Sequence, residues 1–448
     1  MTSDPRASVT VLLRRILALA APTTLVVVLQ ILGMLAETWL AARQGTLALS
    51  AWAVVLPFAQ VMSQMSAGAM GGGVVSAVAR TLGAGRGEEA AELVTHALLL
   101  ALGFAAAFVL GLVVFPRAIL GAIAGAEVAE AAAPYAMWLF GLGAVPFWLT
   151  NTLASVLRGG GRHGLAARVL VIAWAIWPPL AWLLMEPLGL GLPGSGIAFG
   201  LVFWGAVGVM GAVVARGGAG FHPRLFVRPR RTLFWRILSV GLLACTLAAI
   251  ANLTVILLTA RFAGYGVAAV AAYGIVARLE FLMVPLAFGL GSALTALVGR
   301  AVGGGDWETA RRTAWTGGLV AFGLASAAGL FVALVPEAVA RAFSADLAVV
   351  SLAMRGLAIV GPAFGGFGLG MALYFASLGA GRMRWPLAAG LSRIVLAVGG
   401  GSLLAEWAGL GVDGHFLGVA LGITAYGAFT AAAVRPGVWP GRAAPVLA

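Results

Sequence analysis

The sequence has no lysine, one cysteine and four histidines, and only 10% of its 448 residues are charged. Each shortage removes a class of function. The lone Cys245 can form no intramolecular disulfide and cannot build a thiolate metal site. The histidines, His96, His163, His222 and His415, are scattered and show no metal-ligand spacing. Without lysine, the glycine strings Gly71-Gly72-Gly73 and Gly83-Ala-Gly-Arg-Gly87 cannot open a phosphate-binding loop of the Gly-Lys-Ser type. The first string lies inside an apolar run, where small residues permit close helix packing.

Scarce charge also excludes an ordinary soluble fold. With 62% hydrophobic residues and a mean hydropathy of +1.03, the chain lacks the polar surface that water requires of a protein this long. Apolar runs of about 20 residues, enough to cross a hydrocarbon core as a helix, recur throughout. They predict spans at 16–41, 49–79, 93–115, 134–157, 165–185, 196–215, 237–260, 267–299, 313–335, 349–378, 387–405 and 416–434. The expected class is an all-α integral membrane protein with 12 transmembrane helices.

The formal charge of +13 comes from 28 arginines, most of them in short loops between the runs. Sorted by loop, about 22 fall on the side of the N-terminus and 5 on the other, with Arg278 within a span. The positive-inside rule then puts both termini in the cytoplasm, and the charge reads as topology rather than as nucleic-acid binding. The longest basic loop, 216–236, carries Arg224, Arg228, Arg230 and Arg231 and reads as a linker between halves or a lipid-headgroup contact.

The two halves repeat each other. Arg80-Thr-Leu-Gly-Ala-Gly85 matches Arg300-Ala-Val-Gly-Gly-Gly305, Pro116 matches Pro336, Gly161-Arg162 matches Gly381-Arg382, and Gly189-Leu-Gly-Leu-Pro-Gly194 matches Gly409-Leu-Gly-Val-Asp-Gly414, each pair 220 positions apart. Six spans per repeat is even, so the repeats are parallel. The expected organisation is an N-terminal lobe at 1–215, a cytoplasmic linker at 216–236 and a C-terminal lobe at 237–448, two pseudo-symmetric six-helix bundles enclosing a central cleft.

Only two carboxylates, Glu37 and Glu280, lie within the spans. Burying an ionised carboxylate in a membrane costs at least a few kcal/mol, so such groups usually face a cavity and have a task. A carboxyl group there can take and release a proton near neutral pH. Glu280 is followed by Pro285, a candidate helix kink, and Arg278 two residues before it points to a different helical face. Coupling, substrate recognition and a structural link to another helix are all open to Glu280. Gln30, Asn151 and Asn252 are polar groups in hydrocarbon that could line a cavity or join helices. Met62 and Tyr273 would suit an adaptable apolar pocket.

The order, spacing and duplication of these features resemble the multidrug and toxic compound extrusion family, within the multidrug/oligosaccharidyl-lipid/polysaccharide flippase superfamily. The resemblance rests on Pro22 and Glu37 in span one, Arg43 and Gly45 after it, the Leu82-Gly-Ala-Gly-Arg-Gly-Glu-Glu-Ala90 loop, the Gly-Leu-Gly-Leu-Pro-Gly turn, their second-half counterparts, and Ala272-Tyr-Gly-Ile-Val-Ala-Arg-Leu-Glu280. It implies a first helix that bends at Pro22 and carries the coupling acid, Glu37, in its outer half. It departs from the family where one branch has an Asn and an Asp in span five, here near Trp177 and Ala181, and where another has an acid in span seven, here Asn252.

The resemblance implies a transporter, not an enzyme: efflux of amphipathic or cationic organic compounds by cation antiport, with alternating access. Protons are favoured over sodium, because few oxygen ligands are gathered in one place. No cofactor is expected. The partners are small organic substrates and membrane lipids, without nucleic acid, for a monomer in a bacterial inner membrane. The alternative is a flippase for a lipid-linked oligosaccharide or peptidoglycan precursor.

Overall fold

The computed structural model describes residues 9–439, except for the side chains of Pro285 and Leu286. It is 87% helix, with no strands among the described residues. Among the described residues, twelve helices are long and apolar enough to span a membrane: α1 (Val9–Arg43), α2 (Thr46–Gly83), α3 (Gly87–Val114), α4 (Pro116–Gly159), α5 (His163–Met185), α6 (Leu192–Ala215), α7 (Arg231–Ala263), α8 (Val267–Gly303), α9 (Trp307–Leu334), α10 (Leu347–Ala380), α11 (Arg384–Glu406) and α12 (Val412–Ala433). Each coincides with one expected span. Helix is the only local answer, since lipid cannot satisfy an unpaired backbone N–H or C=O. Large apolar side chains such as Leu32, Leu35, Trp39, Ile172 and Leu324 stand exposed in the spans, as a lipid solvent allows.

The chain folds as two units. One is Leu19–Gly241; the other joins the start of α1, up to Ala18, to the residues from Leu242 onward. Thus α1 and α7 each divide between units near their first third. In α1 the division falls where Pro22, having no N–H, leaves the Ala18 carbonyl without its helical donor. In α7 it falls at Gly241, whose Cα face lies against Met70 of α2.

Backbone conformation repeats with the sequence. Gly161 and Gly381 end α4 and α10 with φ of 77° and 71°. Gly191 and Gly411, at φ 58°, ψ −150° and φ 53°, ψ −131°, turn the chain into α6 and α12 in a region open essentially to glycine alone. Pro116 opens α4, which breaks at Gly125, and Pro336 opens a short helix, Pro336–Phe343, that stops before α10. The glycine string in α2 is packing material: a Cβ on Gly71 would lie 2.7 Å from the Ser66 carbonyl oxygen, and one on Gly73 would lie 2.8 Å from that of Ile237.

The last glycine of each repeated turn seats one span on the previous one. A Cβ at Gly194 would come within 2.9 Å of the Leu184 carbonyl carbon, and one at Gly414 within 2.4 Å of the Ala405 backbone nitrogen. Backbone cannot step aside as a side chain can. Gly414→Ala is therefore expected to destabilise the protein by about 1–3 kcal/mol, read as a lower unfolding temperature in detergent. Gly103→Ala, at a position with nothing within 4 Å, should leave it unchanged.

Candidate functional site

Glu37 sits four turns after Pro22 on α1 and is 6% exposed. Its carboxylate accepts three hydrogen bonds from three other helices. Tyr135 Oη on α4 donates to Oε1 at 2.9 Å, Ser195 Oγ on α6 donates to the same oxygen at 2.5 Å, and Trp52 Nε1 on α2 donates to Oε2 at 3.1 Å. All three donors are neutral. Helix α5 supports the arrangement through Trp177, whose Nε1 donates to the Ser195 carbonyl at 3.4 Å. Trp177 and Ala181 are buried at 3% and 1% exposure. The rings of Trp174, Trp177, Phe199, Phe147 and Phe203 pack against one another, mostly edge to face.

Six residues further, Arg43 ends α1 and pairs with Glu186, Nε to Oε1 at 2.6 Å. The Arg43 hydrogen bond holds the Glu186 carboxyl below its ordinary value, and Trp182 adds a further donor. A depressed carboxyl stabilises the fold above the ordinary carboxylate range and loses that contribution as pH falls through the depressed value. Glu186→Gln should therefore lower the unfolding temperature slightly at neutral pH and have no effect in strong acid.

The remaining expected residues are dispersed. Gln30 Nε2 donates to Ser63 Oγ at 3.0 Å, and Asn151 Nδ2 donates to Ser66 Oγ at 3.1 Å. Both thus tie helices to α2, beside a π-helical turn at Gln64–Ala69. Asn252 is exposed and bonds back to the Ala248 carbonyl of its own helix at 2.8 Å, so it joins no second helix. Met62 and Tyr273, which would suit an adaptable apolar pocket, are buried at 1% and 4% exposure. Tyr273 stacks on Phe262 with ring centroids 4.6 Å apart. Arg278 is exposed. The backbone of α8 runs as helix through position 285, while the Pro285 side chain lies outside the described residues.

Arg278 is not the only arginine within a span. Arg168, Arg355 and Arg393 also fall inside the expected spans 165–185, 349–378 and 387–405, although the loop count grouped them with the loop arginines, and the structure keeps them within α5, α10 and α11. Arg393 on α11 pairs with Glu280 on α8, Nη2 to Oε1, with both side chains largely buried. Glu280 therefore bridges helices.

Two matches to the MatE family profile cover residues 22–183 and 241–401, one in each half of the chain. The chain belongs to the MatE family. It is similar over 94% of its length to a probable multidrug resistance protein NorM of Deinococcus radiodurans, 30% identical and matched over 95% of that protein. A NorM protein of Xanthomonas axonopodis pv. citri is 27% identical over 62% of each chain. Among solved structures, the Vibrio cholerae MATE transporter VcmN in its bent form superposes with a TM-score of 0.87 at 19% identity, covering 95% of this chain and 97% of that one. A Pyrococcus furiosus transporter of the MOP superfamily gives 0.84 at 21% identity, covering 96% and 97%. MatE proteins are membrane transporters, not enzymes.

Sequence reasoning found the acid and missed all three of its partners. Tyr135 and Ser195 stand 98 and 158 positions from Glu37, and no local pattern joins them. The one available signal was rarity, since the MatE chain has only five tyrosines. Tyr135→Phe and Ser195→Ala should each cost about 1–3 kcal/mol by leaving a buried acceptor short of a donor. In a Glu37→Gln background the cost should shrink, a coupling that a double-mutant cycle of unfolding temperatures measures.

Proposed function

We propose that this MatE transporter exports amphipathic or cationic organic compounds from the cytoplasm in exchange for protons, by alternating access, and that Glu37 carries the proton. The observation that supports this reading is a buried carboxylate held only by neutral donors. Such a site can keep its hydrogen bonds in both charge states. Ionised, Glu37 accepts from Tyr135, Ser195 and Trp52. Protonated, it becomes a donor, and either hydroxyl can turn to accept, while the indole N–H goes on donating to Oε2.

Sodium suits the site less well. It needs several oxygens converging on one point, whereas the Trp52 N–H presents a positive hydrogen to Oε2. In the proposed cycle, protonation from outside neutralises the charge that helps hold a cationic substrate. Reciprocity then requires that substrate binding favour release of the proton. The arginine-rich loops favour cytoplasmic termini, and the multidrug resistance proteins among the relatives support an organic cargo. A flippase for an anionic lipid-linked precursor would call for free cations in the spans, and the Arg393 charge is already matched by Glu280.

Everted vesicles carrying the wild-type protein should accumulate a fluorescent cationic dye when the lumen is acid, and should respond weakly to a sodium gradient. Glu37→Gln should lower the pH-driven rate roughly tenfold or more at equal protein. A Glu37→Gln protein that transports like wild type would overturn the assignment, and absence of transport under both gradients would favour the flippase.

A further inference from the structure

Of the two acids within the spans, Glu280 is compensated in a different way from Glu37. Its partner is a full positive charge. Arg393 is close to the middle of α11, and Glu280 lies ~20 Å from the N-terminal end of α8, so the pair sits well inside the apolar spans. The side chains are 14% and 12% exposed, and every other described ion pair has at least one partner more than a third exposed. The guanidinium carbon lies 5.4 Å from the centroid of the Phe367 ring, which in turn lies 6.3 Å from the Tyr426 ring. Tyr273 and Phe367 belong to one apolar cluster, and Met283 packs against it. Two residues after Arg393 the helix widens into a π turn, Val395–Gly400, a distortion found often at functional positions.

A guanidinium never loses its proton at accessible pH, and its covalent tether keeps it beside the carboxylate at an effective concentration no free ion reaches. We infer that Arg393 is a resident cation: it occupies the carboxylate of Glu280 permanently and closes this acid to sodium, so that the unit containing α8 and α11 binds no coupling ion at that position. The inference bears on the same ion-exchange reading as the proposed function, but its test uses no transport, so either can fail alone.

The chemistry sets the test. Removing the guanidinium leaves a buried carboxylate uncompensated, which is the condition under which a free cation binds. Purified protein in detergent is unfolded by heat at one mildly alkaline pH, in equimolar sodium chloride or choline chloride. Wild type should unfold at the same temperature in both salts. Arg393→Met should be less stable in choline and regain about 2–4 °C or more in sodium. Arg393→Lys keeps a tethered cation and should be indifferent to sodium, as should the double variant Glu280→Gln/Arg393→Met, which has no charge left to match.

Two results would overturn the inference. One is a wild-type protein that sodium stabilises and whose response Glu280→Gln abolishes, because the acid would then be a sodium site despite its partner. The other is an Arg393→Met protein whose unfolding temperature shows no more response to sodium than the double variant. If Arg393→Met does not fold, the comparison of wild type with Glu280→Gln still decides the first point.

Discussion

Hydrocarbon cannot solvate a carboxylate, and this constraint organises the interior of both units. Each in-span acid must draw its stabilisation from the protein alone. Glu37 obtains it from three dipoles on three helices, and Glu280 from one formal charge on one helix. The first solution ties α1, α2, α4 and α6 together around a single side chain. The second fastens α8 to α11. In either unit, the polar groups that pin helices are few because the apolar faces supply little directional preference in lipid.

The two solutions occupy a duplicated framework without being duplicates. At the repeat spacing of the turns, 220 positions, Tyr135 corresponds to Arg355 and Ser195 to His415; at the 221 positions that relate Gly45 to Gly266, Glu37 corresponds to Leu258 and Trp52 to Tyr273. The equivalent place in the other unit carries no acid and is filled with rings. Phe262 stacks on Tyr273, and its centroid is 4.8 Å from Phe416 and 5.6 Å from His415, while Arg355 turns to Asp413 at 2.9 Å. Backbone glycines were kept in register, since turns and close helix approaches depend on them. The chemistry diverged because side chains inside one unit answer only to their own neighbours.

The spans and the repeat were legible in the sequence because each rests on local information. Hydropathy marks a helix such as α6 within its own 24 residues, and Gly191 and Gly411 announce themselves by a motif six residues long. The two acids were legible too, as charges where hydropathy permits none. Their partners were not. Whether Glu280 pairs with Arg393 or with another helix depends on how α8 and α11 rotate about their axes, and neither periodicity nor spacing carries that angle. Counting Arg393 with the loop arginines, although it lies inside the expected span 387–405, hid the pair. Met62 and Tyr273 show the converse limit: residue type suits a pocket and a core equally, and their burial is not written in the sequence.

The two acids differ in what each of their charges holds in place. Removing the Glu280 carboxylate would strand the Arg393 guanidinium in an apolar cluster, a penalty on the order of several kcal/mol for an unpaired buried ion. Protonating Glu37 strands nothing, because hydroxyl donors can reverse and the indole keeps an acceptor oxygen. A neutral shell makes the charge of an acid variable, while a tethered countercharge fixes it. Within one molecule the same residue type is thereby held in two ways, by neutral donors at Glu37 and by a formal charge at Glu280, and what separates them is the charge of the nearest donor.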